Sequence, residues 1–248
     1  MKLEICVDSV ESSVNAEAGG ADRLELCGAL EVGGITPGAG TIASVLNNVS
    51  IPVNVMIRPR GSDFLYSDSE FEVMRRDIEF VGEAGAAGIV LGILTADGRI
   101  DVERTAYLVG HAKPMSVTFH RAFDMTADAM VALEDIIAAG VDRLLTSGQC
   151  NSAYEGAGLI RELVAAARKR IIIMPGAGLN ERNIAEMVRI TGASEYHMTA
   201  RKLVESEMEF RRLELGLGHP AMTEDEYVIR LADRERIAAI KNLIKGVS

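Results

Sequence analysis

The 248-residue chain has too little cysteine and proline for several classes of protein. Three cysteines are an odd number and too few for a disulfide framework, which favours a reducing compartment. Six prolines against 24 glycines exclude a collagen-like or low-complexity chain. The sequence therefore predicts an ordinary globular protein, which agrees with 48% hydrophobic and 25% charged residues.

Clusters of basic residues and long apolar runs are also missing. The net charge is −10 and Lys and Arg are dispersed, so we expect neither a nucleic-acid partner nor an anionic membrane partner. No stretch approaches the roughly 20 apolar residues of a membrane span. Glu4 and Asp8 interrupt the apolar region that a signal peptide would need. We therefore expect a cytoplasmic protein.

Four segments of the chain repeat one pattern, at 16–27, 81–94, 136–148 and 189–200. Each begins with an Ala-rich helical stretch, continues with a Gly, and ends in a short apolar run. The Gly suits the left-handed residue that closes a helix, and the apolar run is typical of a strand buried on both faces. The repeated unit is therefore a helix, a tight turn and a strand.

Further strands and helices complete the pattern. Four more apolar runs bring the predicted strands to eight, at 3–7, 51–57, 115–120 and 170–174. Helices are predicted at 10–19, 37–48, 69–84, 101–112, 126–139, 152–169, 180–191 and 233–245. Eight units average about 31 residues, which predicts one TIM-like (β/α)8 barrel over residues 1–248. An extended connection at 203–232 precedes the last helix, and its mixture of apolar and charged residues favours a homo-oligomer. The structural alternative is an open doubly wound sheet, but no Gly-rich turn follows the first strand.

Candidate catalytic residues lie on or after the predicted strands, where such barrels carry their sites. Glu4 and Glu25 lie two residues before Cys6 and Cys27, and residues two apart on a strand share a face. Both glutamates are therefore predicted inside the barrel, paired with Arg58 and Arg60. Such carboxylates could act as general acid and base with His120 and Asp124, which follow the fifth strand. The alternative is a purely structural layer of ion pairs.

The two inward cysteines suggest a metal site. If Cys6 and Cys27 face each other near the barrel mouth, their sulfurs form a soft site suited to Cu(I). The alternative is that each is a small buried apolar side chain, as free Cys commonly is.

An anion site is predicted after the seventh and eighth strands. Gly176 and Gly178 allow main-chain N–H groups to approach a ligand, and the segment is predicted to open a helix. Thr199 would complete the site from the eighth strand. The alternative is a tight turn that binds no ligand.

Taken together, the motifs resemble those of the CutC family. The resemblance spans nearly the whole chain. It rests on Glu-Ile-Cys at 4–6, Gly-Ala-Asp-Arg-Leu-Glu-Leu-Cys at 20–27, Gly-Gly-Ile-Thr-Pro at 33–37, Ile-Arg-Pro-Arg-Gly at 57–61, Thr-Phe-His-Arg-Ala-Phe-Asp at 118–124, Leu-Thr-Ser-Gly-Gln at 145–149 and Gly-Ala-Gly at 176–178. It implies a TIM-like barrel, a cytoplasmic location, an association with copper tolerance, and Cu(I) binding at Cys6 and Cys27.

Two functions therefore stay open at this point. The first is a cytoplasmic copper-homeostasis protein that binds Cu(I) through Cys6 and Cys27. The second is an enzyme that acts on a small anionic or phosphorylated metabolite. In that enzyme Arg58, Arg60 and the Gly176–Gly178 turn would hold the anion.

Overall fold

Eight parallel strands form the centre of the fold. The computed structural model describes residues 1–212, 214 and 226–247. The strands are β1 (Lys2–Val7), β2 (Arg23–Leu26), β3 (Val53–Met56), β4 (Gly88–Leu91), β5 (Ser116–Phe119), β6 (Arg143–Thr146), β7 (Ile172–Pro175) and β8 (Glu195–Met198). Neighbours pair in sequence order from β1 to β7, while β8 pairs with β1 and lies beside β7.

Eight helices alternate with these strands and surround them. They are α1 (Val10–Ala18), α2 (Ala39–Asn48), α3 (Asp68–Glu83), α4 (Val102–Ala112), α5 (Ala129–Ala138), α6 (Ala157–Ala167), α7 (Ile184–Thr191) and α8 (Arg234–Lys245). The result is a nearly closed barrel of strands with helices outside it, which confirms the predicted TIM-like (β/α)8 architecture.

Several helices begin directly after a residue whose polar side chain caps them. Ser67 caps α3 and exchanges hydrogen bonds with Glu70 in a capping box. Asp101, Asp128 and Asp233 accept main-chain N–H groups at the starts of α4, α5 and α8. Such caps satisfy N–H groups that have no partner within the helix.

The main apolar core lies between the strands and the helices. Outward-facing strand residues such as Ile5, Leu24 and Ile89 are fully buried against helix residues such as Ile136 and Ile240. Because successive residues of a strand point to opposite faces, the alternate residues point into the barrel. Those inward residues build the candidate site.

A two-stranded hairpin extends the barrel after β8. It consists of β9 (Arg201–Glu205) and β10 (Val228–Ala232), which pair antiparallel. This hairpin occupies both ends of the connection predicted at 203–232, and residues 213 and 215–225 lie outside the described part. Across the described ranges, no helix is both long and apolar enough to cross a membrane.

Candidate functional site

The interior of the barrel carries charged side chains where barrels of this type usually pack branched apolar ones. Glu4 accepts a hydrogen bond from Nε of Arg23 at 2.5 Å. Glu195 accepts one from Nη2 of Arg23 at 2.7 Å and one from Nε of Arg143 at 2.6 Å. All four side chains are at most 8% exposed. Buried charges require such partners to offset their lost hydration.

The predicted partners of the buried glutamates are wrong. Arg58 donates to main-chain carbonyl groups in the loops after β2 and β3, and Arg60 lies farther out, 2.6 Å from Glu70. The strand register explains the difference. Glu4 pairs directly with Arg23 on β2, whereas Arg58 and Arg60 lie beyond the end of β3.

A signal for the true partners is present in the sequence. The tripeptide Asp-Arg-Leu occurs at 22–24 and again at 142–144. In both copies the Arg points into the barrel, while the Asp accepts a main-chain N–H from the neighbouring strand, from Leu3 at 2.6 Å and from Val117 at 2.8 Å. The repeated tripeptide therefore marks the start of a strand whose Arg side chain points into the barrel.

Two thiols, a carboxyl group and an imidazole lie above this charged layer. The sulfurs of Cys6 and Cys27 are 3.8 Å apart, and Cys27 Sγ is 3.5 Å from Glu25 Oε2. His197 joins the two layers, since its Nδ1 is 2.8 Å from Glu4 Oε1 and its Nε2 is 3.7 Å from Glu25 Oε2. His197 is not among the site residues predicted from the sequence, although it lies two residues after Glu195 on the same face of β8.

The surroundings of the two thiols shift their pKa values in opposite directions. The hydrogen bond with Cys27 lowers the pKa of Cys6 to about 5, against the opposing effect of burial. The same hydrogen bond, reinforced by burial, raises the pKa of Cys27. Burial would lower the pKa of His197, but Glu25, Cys6 and Glu4 outweigh it and raise that pKa well above its usual value. The cluster therefore favours a Cys6 thiolate beside a protonated His197.

The pKa of Glu25 in the thiol cluster shifts in the opposite direction from that of Glu4 in the charged layer. Burial raises the pKa of Glu25, and the nearby Cys6 raises it further. Glu4, by contrast, is held as a carboxylate between Arg23 and His197.

A cavity of about 320 Å³ opens at the C-terminal ends of the strands above the thiol cluster. Its inner end is formed by Cys6, Glu25 and His197. Its wall includes the predicted residues Arg58, His120, Gly178 and Thr199 together with the apolar side chains Met56, Phe64, Leu145, Leu179 and Met198. A volume of this size fits a small metabolite.

Glu4 and Cys27 lie beneath that cavity and do not line it, and three further predicted residues do not line it either. Arg60 contacts Glu70 and Asp63 instead. Gly176 donates its N–H to the carbonyl of Thr146 at 2.9 Å, so that N–H is not free for an anion. Asp124 accepts hydrogen bonds from the loop after β6 and from Arg121 at 2.8 Å. Its contacts hold Arg121 at the cavity.

The segment after β7 does not open directly into a helix as predicted. A turn between Asn180 and Asn183 intervenes, and α7 begins only at Ile184. The N-terminus of α7 is therefore displaced from Gly178 along the chain. Ala177 beside it adopts φ +80°, which is rare for a residue with a Cβ. Strained residues of this kind cluster at functional sites.

Two groups of side chains in the described residues have the chemistry of metal ligands. One is Cys6, Glu25 and Cys27, and the other is Glu4, Glu25 and His197, each with ligand atoms within 4.8 Å of one another. In the second group, Glu4 is already paired with Arg23 and His197. The first offers two sulfurs, which soft ions such as Cu(I) prefer.

Comparison with known proteins agrees with this fold and these motifs. The CutC family model matches residues 1–202. The copper homeostasis protein cutC homolog of Homo sapiens is 47% identical over 245 residues, covering 99% of this chain and 89% of that protein. A CutC family protein of Parabacteroides distasonis is 48% identical over 238 residues, covering 96% and 98%.

Solved structures give the same result. The crystal structure of CutC from Streptococcus agalactiae has a TM-score of 0.76 at 34% identity, covering 80% of this chain and 98% of that one. Thiamine phosphate pyrophosphorylase from Pyrococcus furiosus has a TM-score of 0.61 at 13% identity, covering 99% and 96%, and shows the fold alone. The sequence matches across nearly the full chain establish that this protein belongs to the CutC family.

Proposed function

We propose that the chain acts in copper homeostasis by binding one Cu(I) ion through the sulfurs of Cys6 and Cys27. The observation that carries the proposal is the 3.8 Å separation of these sulfurs, with Cys6 at the inner end of the cavity. Metal–sulfur bonds are about 2.3 Å long, so both sulfurs can reach one ion without a movement of the strands.

The surroundings of the two sulfurs support a soft monovalent ion. The pKa of Cys6, lowered to about 5 by Cys27, makes one thiolate available near neutral pH. Met56 belongs to the same buried cluster as both cysteines and adds a thioether to it. Thiolate and thioether ligands select Cu(I) over hard cations.

A reducing compartment suits this site. All three cysteines are free thiols, and Cys6 and Cys27 are close enough for oxidation to remove both ligands together. The cytoplasm keeps such thiols reduced. The proposal therefore includes a cytoplasmic location.

Anaerobic titration with Cu(I) against a competing chromophoric chelator tests the proposal. We expect about one Cu(I) per chain, and loss of that binding in the double variant Cys6→Ser/Cys27→Ser. The matched control is Cys150→Ser, which removes a partly exposed thiol in the loop after β6 and should leave binding unchanged. Wild-type affinity in the double variant would reject the site.

A further inference from the structure

Arg58 is a buried cation without an acidic partner in the described part of the chain. It is 5% exposed, and Nη1 donates to the carbonyl oxygens of Val32 at 3.0 Å and Gly34 at 2.9 Å, while Nη2 donates to that of Ser62 at 2.8 Å. Within the described ranges it forms no ion pair with a carboxylate, and its Nε has no hydrogen-bond partner. Buried charges are normally paired. The position therefore favours an anion brought from outside the chain.

A second donor lies on the same wall of the cavity. His120 is 5% exposed, and its Nδ1 accepts the main-chain N–H of Ala122 at 3.1 Å. A neutral imidazole that accepts at Nδ1 carries its proton on Nε2. Burial and the charge of Arg58 lower the pKa of His120 to about 3, which keeps the ring neutral. His120 Nε2 is therefore an N–H donor, and in the described part of the chain it has no acceptor.

One aromatic ring joins these two donors into a single surface. The Arg58 guanidinium lies 4.9 Å from the centre of the Phe64 ring, and that ring is centred 5.0 Å from the His120 ring. All three residues line the cavity. The remaining wall is mostly apolar, from Met56 and Leu145 among others. The cavity wall thus combines two buried donors and one cation that lack a partner within the described residues, with room beside them for a small carbon skeleton.

We propose that this cavity binds a small organic oxyanion, with its acceptor oxygens toward the Arg58 guanidinium and the His120 imidazole and its carbon atoms against the apolar wall. A carboxylate and a phosphate monoester share the required chemistry, since both present anionic oxygen acceptors. The cavity of about 320 Å³ limits the ligand to metabolite size. Oxyanion binding at Arg58 and His120 does not depend on copper binding, because the proposed Cu(I) ligands are the sulfurs of Cys6 and Cys27.

Calorimetric titration of the metal-free chain tests the site with three probes: inorganic phosphate, glycerol 3-phosphate and succinate. Binding of either phosphate probe identifies a phosphate ligand, and binding of succinate alone identifies a carboxylate. Each result supports the proposal. Absence of heat with all three probes, together with no rise in the unfolding midpoint, overturns it.

Two substitutions of His120 separate its two ring nitrogens. His120→Asn retains a side-chain acceptor for the Ala122 N–H but loses the distal donor, and His120→Gln retains the distal donor. We expect His120→Asn to weaken binding of the active probe about tenfold or more, since hydrogen bonds to charged groups are among the stronger ones. His120→Gln should stay closer to wild type. Equal affinity in His120→Asn and wild type, or equal loss in both variants, overturns the assignment.

Two further variants serve as controls. Arg76→Gln removes a cation that is 72% exposed, pairs with Glu72 and does not line the cavity. It should therefore leave oxyanion binding unchanged. Cys27→Ser removes a sulfur that does not line the cavity, so it should weaken Cu(I) binding and leave oxyanion binding unchanged, which makes the failure of either proposal distinguishable. Unfolding midpoints without ligand confirm that each variant is folded.

Discussion

At the scale of single residues, Glu4 and Glu25 show how the same local motif acquires different chemistry. Both stand two residues before a cysteine and both are buried. Burial would raise the pKa of Glu4, but hydrogen bonds from His197 and Arg23 outweigh it and lower that pKa to about 2. Glu25 lies beside the cysteines without an arginine, so burial raises its pKa. The neighbouring strands, not the motif, decide in which direction the pKa of each carboxyl group moves.

Substitution Glu4→Gln should therefore destabilise the fold strongly. It leaves Arg23 and His197 without one of their acidic partners inside the barrel, and breaking a buried pair typically costs about 3–5 kcal/mol in unfolding free energy. Urea denaturation measures the change. Glu72→Gln, which removes an exposed carboxylate paired with Arg75 and Arg76, is the control and should leave the midpoint nearly unchanged.

The same carboxylate predicts how stability depends on pH. Because the folded pKa of Glu4 is about 2 and its usual value is 4.5, its contribution is complete above pH 4.5 and is lost as the pH falls toward 2. The loss amounts to roughly 3 kcal/mol. Unfolding free energies of wild type and Glu4→Gln, measured from pH 7 to pH 2, should converge as the pH falls. A constant difference across that range would contradict the prediction.

At the scale of elements, sequence periodicity located all eight parallel strands and their helices but not every boundary. The prediction for α3 at 69–84 agrees with Asp68–Glu83. The prediction at 152–169 starts too early, because the residues before Ala157 form turns in the loop after β6. Hydrophobic spacing depends on burial, and loop residues packed over the barrel are buried too. The β9–β10 hairpin was missed because its strands are short and half exposed.

Two glycine substitutions test how differently a strand and a helix use this residue. Gly88 on β4 faces Asn54 and Ser116, and a Cβ there would come 2.7 Å from the Ser116 carbonyl oxygen, so Gly88→Ala should destabilise the barrel. Gly110 in α4 is exposed with open space around it. Gly110→Ala should therefore stabilise the protein by roughly 0.5–1 kcal/mol, through lower backbone entropy of the unfolded chain. Thermal unfolding of both variants measures the contrast, and equal shifts would refute it.

At the scale of the whole molecule, the barrel depends on contacts between distant parts of the chain. Arg236 of α8 binds Glu181 at 2.6 Å, and α8 packs against both α1 and α7. Single-sequence reasoning placed Cys6, Cys27, Arg58 and His120 at one end of the barrel because strand ends gather there. It could not supply the register between strands, so it missed Arg23 and His197 as partners.

Removal of the last helix should abolish folding although the family model ends at residue 202. A chain that ends at Ala232 loses three buried isoleucines, Ile237, Ile240 and Ile244, which are at most 1% exposed. Their loss leaves apolar faces of α1 and α7 open to water. We expect no cooperative thermal transition for this chain. A chain that ends at Lys245 keeps α8 whole and should unfold cooperatively. Cooperative unfolding of the shorter chain would disprove the requirement.

The hydrogen bond between Glu4 and His197 also determines when, during translation, the interior charges of the barrel can all find their partners. Its two residues are 193 positions apart, on the first and last strands of the barrel. At the usual pace of translation the ribosome needs roughly 10–40 s to advance from one to the other. During that interval Glu4 has Arg23 but not its imidazole partner. The set of interior charges therefore stays incomplete until the final strand has been synthesised, so the barrel cannot close around all of its ion pairs before β8 is available.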